Sequence, residues 1–284
     1  MYFFADIIKK FYQNRFLYTQ LNTIFFTRYF MIFTTLNESS LHHTLKILYQ
    51  ELYEGEIEVK KDGYVYDIIT KKGNIIEIQT KNLSKLLPKI LATIKNGHNI
   101  KLVHPIVISK IIETKDKNGN IISKRKSSKK GCIYDIFNEL TGIYSVLLNP
   151  KFSLEIVEIQ MTEERELQEK PVQSQNKKRR FRQNWLKTNK RLENIINTRR
   201  FSNAYDYISL LPELPKEFCA SDLKNALEKN KDIPKRISKN PHIILWVLNH
   251  IELIEKTEKK DRSIYYKICK EKIIRSKNAT NTNI

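Results

Sequence analysis

Apolar residues recur along the chain with two different periods. After Asn37, which can cap a helix, Leu41, Leu45, Leu48 and Leu52 return at helical spacing, and Gly55 ends the run. The next segments alternate instead. EIEVK (56–60), YVYDIIT (64–70) and NIIEIQT (74–80) read as strands, with turns at Gly63 and Lys72-Gly73. A second helix is predicted within 84–96, where Pro88 delays or kinks its start and Gly97 closes it. KLVHPIVI (101–108) is a strand, and ISKIIETK and NIISKRK flank the hairpin signal Asn118-Gly119. The segment Lys124–Lys130 reads as a basic loop, YDIFNELTGIYSVLL (134–148) as a helix and FSLEIVEIQ (152–160) as a final strand. This order predicts an α/β fold, a mixed sheet flanked by helices.

Past residue 161 the pattern changes. TEERELQEKPVQSQNKKRR (162–180) carries no core-forming period, so 162–200 reads as a basic linker with a helical stretch. Within 177–200 ten basic residues face Glu193 alone, with Phe181 and Trp185 among them; a solvated helical face is the plain alternative. Residues 201–269 read as a second unit. AYDYISLL, DLKNALEKN and IPKRISKNPHIILWVLNHI are helices, and LIEKT and SIYYKI bracket the turn EKKDR. Three helices and a basic hairpin are the layout of a winged helix-turn-helix. The expected boundaries are therefore 1–35 for an N-terminal extension, 36–161 for the α/β domain, 162–200, 201–269, and 270–284 for a patternless tail. The extension is aromatic but interrupted by Asp6, Lys9, Lys10, Arg15 and Arg28, in the reverse of signal-peptide order. Met31 begins a more ordinary sequence, and an interfacial amphipathic helix competes for residues 1–30.

Composition narrows the partner class. Among 284 residues, 51 Lys and Arg against 31 Asp and Glu leave a formal net charge of +20, which points to a polyanion. An AT-rich genome would also inflate Lys, Ile and Asn. Cys132, Cys219 and Cys269 form no CxxC pair, which fits a reducing cytoplasm better than a disulfide framework or a zinc site. No run of about 18 uncharged apolar residues exists, so no membrane partner is expected. The sequence contains no GxxxxGK[ST], GxGxxG, HExxH or GxSxG, which leaves nucleotide hydrolysis, dinucleotide redox chemistry and serine hydrolysis without support.

Asp67 and Glu77-Ile78-Gln79 carry the most chemical information. A hairpin turning about Lys72 pairs Asp67 with Glu77, with Cβ atoms about 4.5–5.5 Å apart. Two carboxylates that close repel unless positive charge lies between them. Mg2+ (or Mn2+) accepts few carboxylates, keeps several waters and can hold phosphate oxygens. Glu38 at the start of the first helix is a third candidate carboxylate. His42, one turn along, is a candidate to hold a water or a phosphate.

The order of a helix with Glu38, a strand with Asp67 and a strand with Glu77-x-Gln79 resembles the PD-(D/E)XK nuclease superfamily. The resemblance covers about 36–160, and NESSLHHTLK, LVHPI and KRKSSKKG resemble an uncharacterised bacterial nuclease-like domain with a winged-helix tail. It implies a restriction-endonuclease-like fold and Mg2+-dependent hydrolysis of DNA. Asp67 and Glu77 would be metal ligands, Gln79 the water-positioning group and Glu38 an auxiliary carboxylate. Gln79 stands where Lys is commonest in that superfamily. A catalytically inactive DNA-binding or regulatory protein on the same scaffold is the alternative, and a homodimer would suit double-strand cutting. Candidate phosphate contacts are Lys124, Arg125, Lys126, Lys129 and Lys130, then Lys178, Arg179, Arg180 and Arg182. In the C-terminal unit they are Lys235, Arg236 and Lys239 before the third helix, and Lys259, Lys260 and Arg262 on the wing.

Overall fold

The computed structural model describes residues 40–173, 180–181 and 183–271. The expected extension over 1–35, Glu38, Lys178, Arg179, Arg182 and the tail beyond 271 lie outside the described residues. The elements form an α/β arrangement with one large mixed sheet and accompanying helices. Helix α1 (Ser40–Tyr53) is followed by β1 (Gly55–Lys61), β2 (Tyr64–Thr70), β3 (Ile75–Ile78), α2 (Leu87–Lys95), β4 (Ile100–Lys115) and β5 (Ile121–Lys126). Then come α3 (Ile136–Leu140), β6 (Phe152–Val172) and β7 (Gln183–Phe201). The sheet runs β1-β2-β3-β4-β6-β7, with β5 pairing to β4. β2 is antiparallel to β1 and β3, while β3 and β4 are parallel, joined by the crossover through α2. The chain continues through α4 (Ala204–Ile208), α5 (Ala220–Lys229), α6 (Lys235–Ser238) and α7 (His242–His250) to the hairpin β8 (Ile254–Lys260) and β9 (Ser263–Ile268). No helix among the described residues is long and apolar enough to cross a membrane.

Contacts divide the chain into two compact units. One contains 107–130 and 157–198 with α1 up to Leu52; the other contains 53–106, 131–156 and the chain from Arg199. This differs from the expected consecutive blocks at 36–161, 162–200 and 201–269. The reason is that β4 and β6 are long and contribute residues to both units. In the first unit Leu41, Leu45 and Leu48 of α1 are buried at the predicted spacing, as are Ile112, Ile159, Leu192 and Ile195. In the second, Ile68, Ile76, Leu102 and Leu154 of the sheet are buried, with Phe137, Tyr207, Leu223 and Leu248 from the helices.

Local chemistry accounts for several element ends. Pro88 sits in the first turn of α2, where its missing N–H costs no helical bond. Pro105 falls after the last β3 pair at Val103 and before the first β5 pair at Ile111, where β4 needs no donor from it. The single helix expected over 134–148 is broken into α3 and a short 3-10 turn at Tyr144–Val146. Gly142 lies between them, and a Cβ there would stand 2.5 Å from Ser84 Cβ. The predicted third C-terminal helix is likewise two helices, α6 and α7, separated around Pro241.

The linker expected over 162–200 is strand throughout its described regular parts, since β6 runs to Val172 and β7 spans Gln183–Phe201. Contacts of 158 with 197, 164 with 191 and 165 with 185 show that the two strands are antiparallel. Beside apolar Leu192 and Ile195, this ribbon also buries charge. Buried Glu163 accepts from Lys110 at 2.9 Å, from Arg165 at 2.6 Å and from Lys187 at 2.8 Å. Glu113 meets Lys124 at 2.8 Å, and Glu164 meets Lys115 at 3.0 Å and Arg191 at 2.8 Å. Burial pushes the Glu163 carboxyl up, but the bonds from Lys187, Lys110 and Arg165 outweigh it and hold it at about 2. Stability from this group is therefore present above the ordinary carboxylate range and lost as pH falls towards about 2. Glu163→Gln leaves three cations around a neutral amide. It is expected to lower the unfolding free energy by about 3 kcal/mol near neutral pH, measured by urea denaturation, with the loss shrinking at strongly acid pH.

Candidate metal and nucleic-acid site

The β2–β3 hairpin places Ile69 opposite Ile75 and Ile68 opposite Ile76, the register the odd-membered turn predicts. The ladder stops there, and one step further Asp67 and Glu77 replace backbone bonds with side-chain ones. The Asp67 N–H donates to Glu77 Oε1 at 3.1 Å, and the Ile78 N–H donates to Asp67 Oδ2 at 2.8 Å. Each carboxylate thus clasps the other strand, and the two are close enough to repel. Glu77 is 4% exposed. Burial raises its pKa first, Asp67 raises it further, and Lys89 acts against both without cancelling them.

Lys89 is the residue that reading the sequence missed. It lies in the first turns of α2, and its ammonium donates to Glu77 Oε1 at 2.6 Å and to the Val65 carbonyl at 2.7 Å. It also stands 4.8 Å from the centre of the Tyr66 ring, whose hydroxyl bonds Thr93 on the same helix. A lysine twelve residues from Glu77 on a crossover helix has no strand or helix periodicity to link the two. Only the packing of α2 on the sheet brings them together.

Gln79 is near in sequence but its amide turns away from the carboxylates, donating to the Lys81 carbonyl at 2.8 Å. Its own carbonyl is 2.6 Å from His104 Nδ1. Burial lowers the His104 pKa, so the ring stays neutral and donates that bond. This bond makes His104 a satisfied core histidine. His42 lies on α1 in the first unit, whereas Asp67, Glu77, Gln79 and Lys89 belong to the second. Among the described residues no group of three or more His, Cys, Asp and Glu side chains is gathered for a metal ion.

Several of the basic candidates are bound to carboxylates. Lys124, Arg125 and Lys126 lie on β5 rather than in a loop, because Asp116 caps the preceding turn and lets the ladder continue from Lys115↔Ile121 to Ile111↔Lys126. Lys124 is paired with Glu113, Arg236 makes a two-point bond with Asp135, and Lys260 pairs with Glu258. Arg125, Lys126, Lys129, Lys130, Arg180, Lys235, Lys239, Lys259 and Arg262 are exposed. Of the ten basic residues counted in 177–200, Lys187 and Arg191 are bound to carboxylates of the same unit.

A family model described as "Domain of unknown function (DUF8091)" matches residues 39–202. The match runs through β6 and β7, so the ribbon is part of the matched domain. A protein of Treponema pallidum (strain Nichols), described as "Uncharacterized protein", is 28% identical over 194 residues, which are 68% of this chain and 74% of that one. No solved structure matches.

The upward shift of Glu77 has a measurable consequence. A carboxyl whose folded pKa is raised favours the fold while protonated and loses that contribution as pH rises through its folded value. Glu77→Gln, which copies the protonated state, should therefore melt above the parent at neutral pH. The gap should close as pH falls through the carboxylate range, as read by differential scanning calorimetry across pH.

Proposed function

The chain belongs to the DUF8091 family, and we propose that Asp67, Glu77 and Lys89 form the centre of a metal-dependent DNA endonuclease. The observation that carries this reading is the meeting of two carboxylates, one buried, with repulsion that the neighbouring lysine does not cancel. Two carboxylates with several waters are a donor set that suits Mg2+ or Mn2+. When bound, such an ion would supply Lewis acidity and neutralise charge on a phosphodiester. Asp67 and Glu77 would hold it. Lys89 would keep Glu77 in place and bring to the site the positive charge that Gln79 lacks.

Chain order supports the restriction-endonuclease-like form of the fold. The resemblance rests on the motif order, and the described elements run helix, three strands, helix, strand, with β1 to β4 side by side and β2 reversed. Helices α5 to α7 followed by the β8–β9 hairpin, with Phe218 bridging to Tyr266, support a winged-helix unit. The exposed cations and the charge of +20 support DNA as partner. The absence of a CxxC pair among Cys132, Cys219 and Cys269 supports a cytoplasmic setting, and a two-fold pair would suit double-strand cutting. A second reading, an inactive nuclease-like DNA binder, draws on one fact. Lys89 already stands 2.6 Å from Glu77 and compensates it in part without an ion.

Plasmid nicking separates the two. With Mg2+ or Mn2+ the parent chain is expected to nick and with EDTA it is not. Asp67→Ala and Glu77→Ala should abolish nicking while DNA affinity changes by less than about two-fold, since phosphate contacts carry that affinity. Cleavage that persists in both variants removes these residues from the site, and binding without any cleavage selects the second reading.

A further inference from the structure

Helix α7 buries Ile244, Leu245, Val247 and Leu248 and leaves His242, Trp246 and His250 exposed one turn apart. Trp246 and His250 stack with ring centres 3.7 Å apart and planes inclined by 24°. Tyr144 meets both rings edge-on, at 5.4 Å from each. A bond of 2.8 Å between His250 Nδ1 and the Trp246 carbonyl steadies the imidazole. Tyr144 and Trp246 nonetheless remain 39% exposed, so the cluster presents aromatic surface to solvent. An arrangement of rings with polar edges differs from an aliphatic docking patch, which would offer Leu and Ile.

The chain leading into α7 is basic. From Lys229 to Trp246, Lys229, Lys231, Lys235, Arg236 and Lys239 stand against Asp232 alone. Arg236 is held by Asp135, and the four lysines are exposed. Exposed aromatic faces on α7, with exposed lysines in the chain that leads into it, suit a ligand with flat bases on a phosphate backbone. We propose that Tyr144, Trp246 and His250 form a stacking platform for the bases of single-stranded nucleic acid, with Lys235 and Lys239 meeting its phosphates. The platform rests on the nucleic-acid reading above but not on cleavage. Duplex DNA keeps its bases stacked on each other, so an exposed ring cluster favours unpaired strands.

The test uses the full chain in EDTA, where no cutting interferes. The protein has two tryptophans, so Trp185→Phe leaves Trp246 as the fluorescent reporter. Oligothymidylate, oligouridylate and an abasic oligomer of equal length are titrated in turn. Quenching of Trp246 by the base-bearing strands and weaker binding of the abasic one are expected, and the DNA and RNA arms show which sugar is preferred. Trp246→Ala, read by fluorescence anisotropy of labelled strands, should weaken binding roughly ten-fold, while Trp246→Phe retains most of it. Should Trp246→Ala fail to fold, Trp246→Phe and the abasic comparison still decide. Equal affinity for abasic and base-bearing strands, or unchanged affinity in Trp246→Ala, overturns the proposal. A self-associated species that dissociates in Trp246→Ala with unaltered strand binding overturns it in favour of a protein interface. Strand binding that needs Trp246 in a chain that never nicks plasmid fails the cleavage reading alone, whereas nicking with abasic and base-bearing strands bound equally fails the platform alone.

Discussion

A buried carboxylate facing a second carboxylate is the constraint around which the β2–β3 hairpin and α2 are arranged. Glu77 is removed from water beside Asp67, and left alone the two would push β2 and β3 apart. Three features hold them. Each carboxylate accepts a backbone N–H of the opposite strand, and α2 is packed so that Lys89 reaches Glu77 Oε1. A fold that needed only stability would place apolar side chains at the end of this hairpin, as it does at Ile68 and Ile76. Keeping charge there argues for chemistry that uses it.

How much of this was legible in the sequence follows from which physics acts locally. The facing of Asp67 and Glu77 could be read, because a turn of known length fixes which residues oppose each other. The α1 stripe and the late start of α2 were readable for similar reasons of period and proline geometry. Lys89 was not, since its meeting with Glu77 depends on a tertiary contact across a crossover. The β6–β7 ribbon was misread because β6 carries the buried Glu163 and the half-buried Glu164 where a strand pattern would show Val or Ile. Those charges are satisfied by Lys110, Lys115, Lys187 and Arg191, partners that only the assembled sheet supplies.

The same pairing changes the meaning of the basic composition. A net charge of +20 suggests a broad cationic surface, yet several of the most suggestive residues are occupied internally. Lys124, Lys187, Arg191 and Arg236 each bind a carboxylate of their own unit, which leaves the exposed lysines and arginines of β5, the segment before α7 and the C-terminal hairpin as the groups open to phosphate. Under the proposed function those cations would set affinity, and the carboxylates and the α7 rings what is done with a bound strand.

The most direct measurement is the titration of Glu77 itself, followed by carbon-detected NMR of the side-chain carboxyl with and without Mg2+. The account predicts a midpoint above the ordinary glutamate range in the metal-free protein, moving down when Mg2+ is added; in Asp67→Asn the metal-free midpoint itself falls, because the neighbouring charge is gone, and Mg2+ then moves it little. A Glu77 resonance that ignores Mg2+ at millimolar concentration would contradict it and leave Glu77 as a structural charge compensated by Lys89.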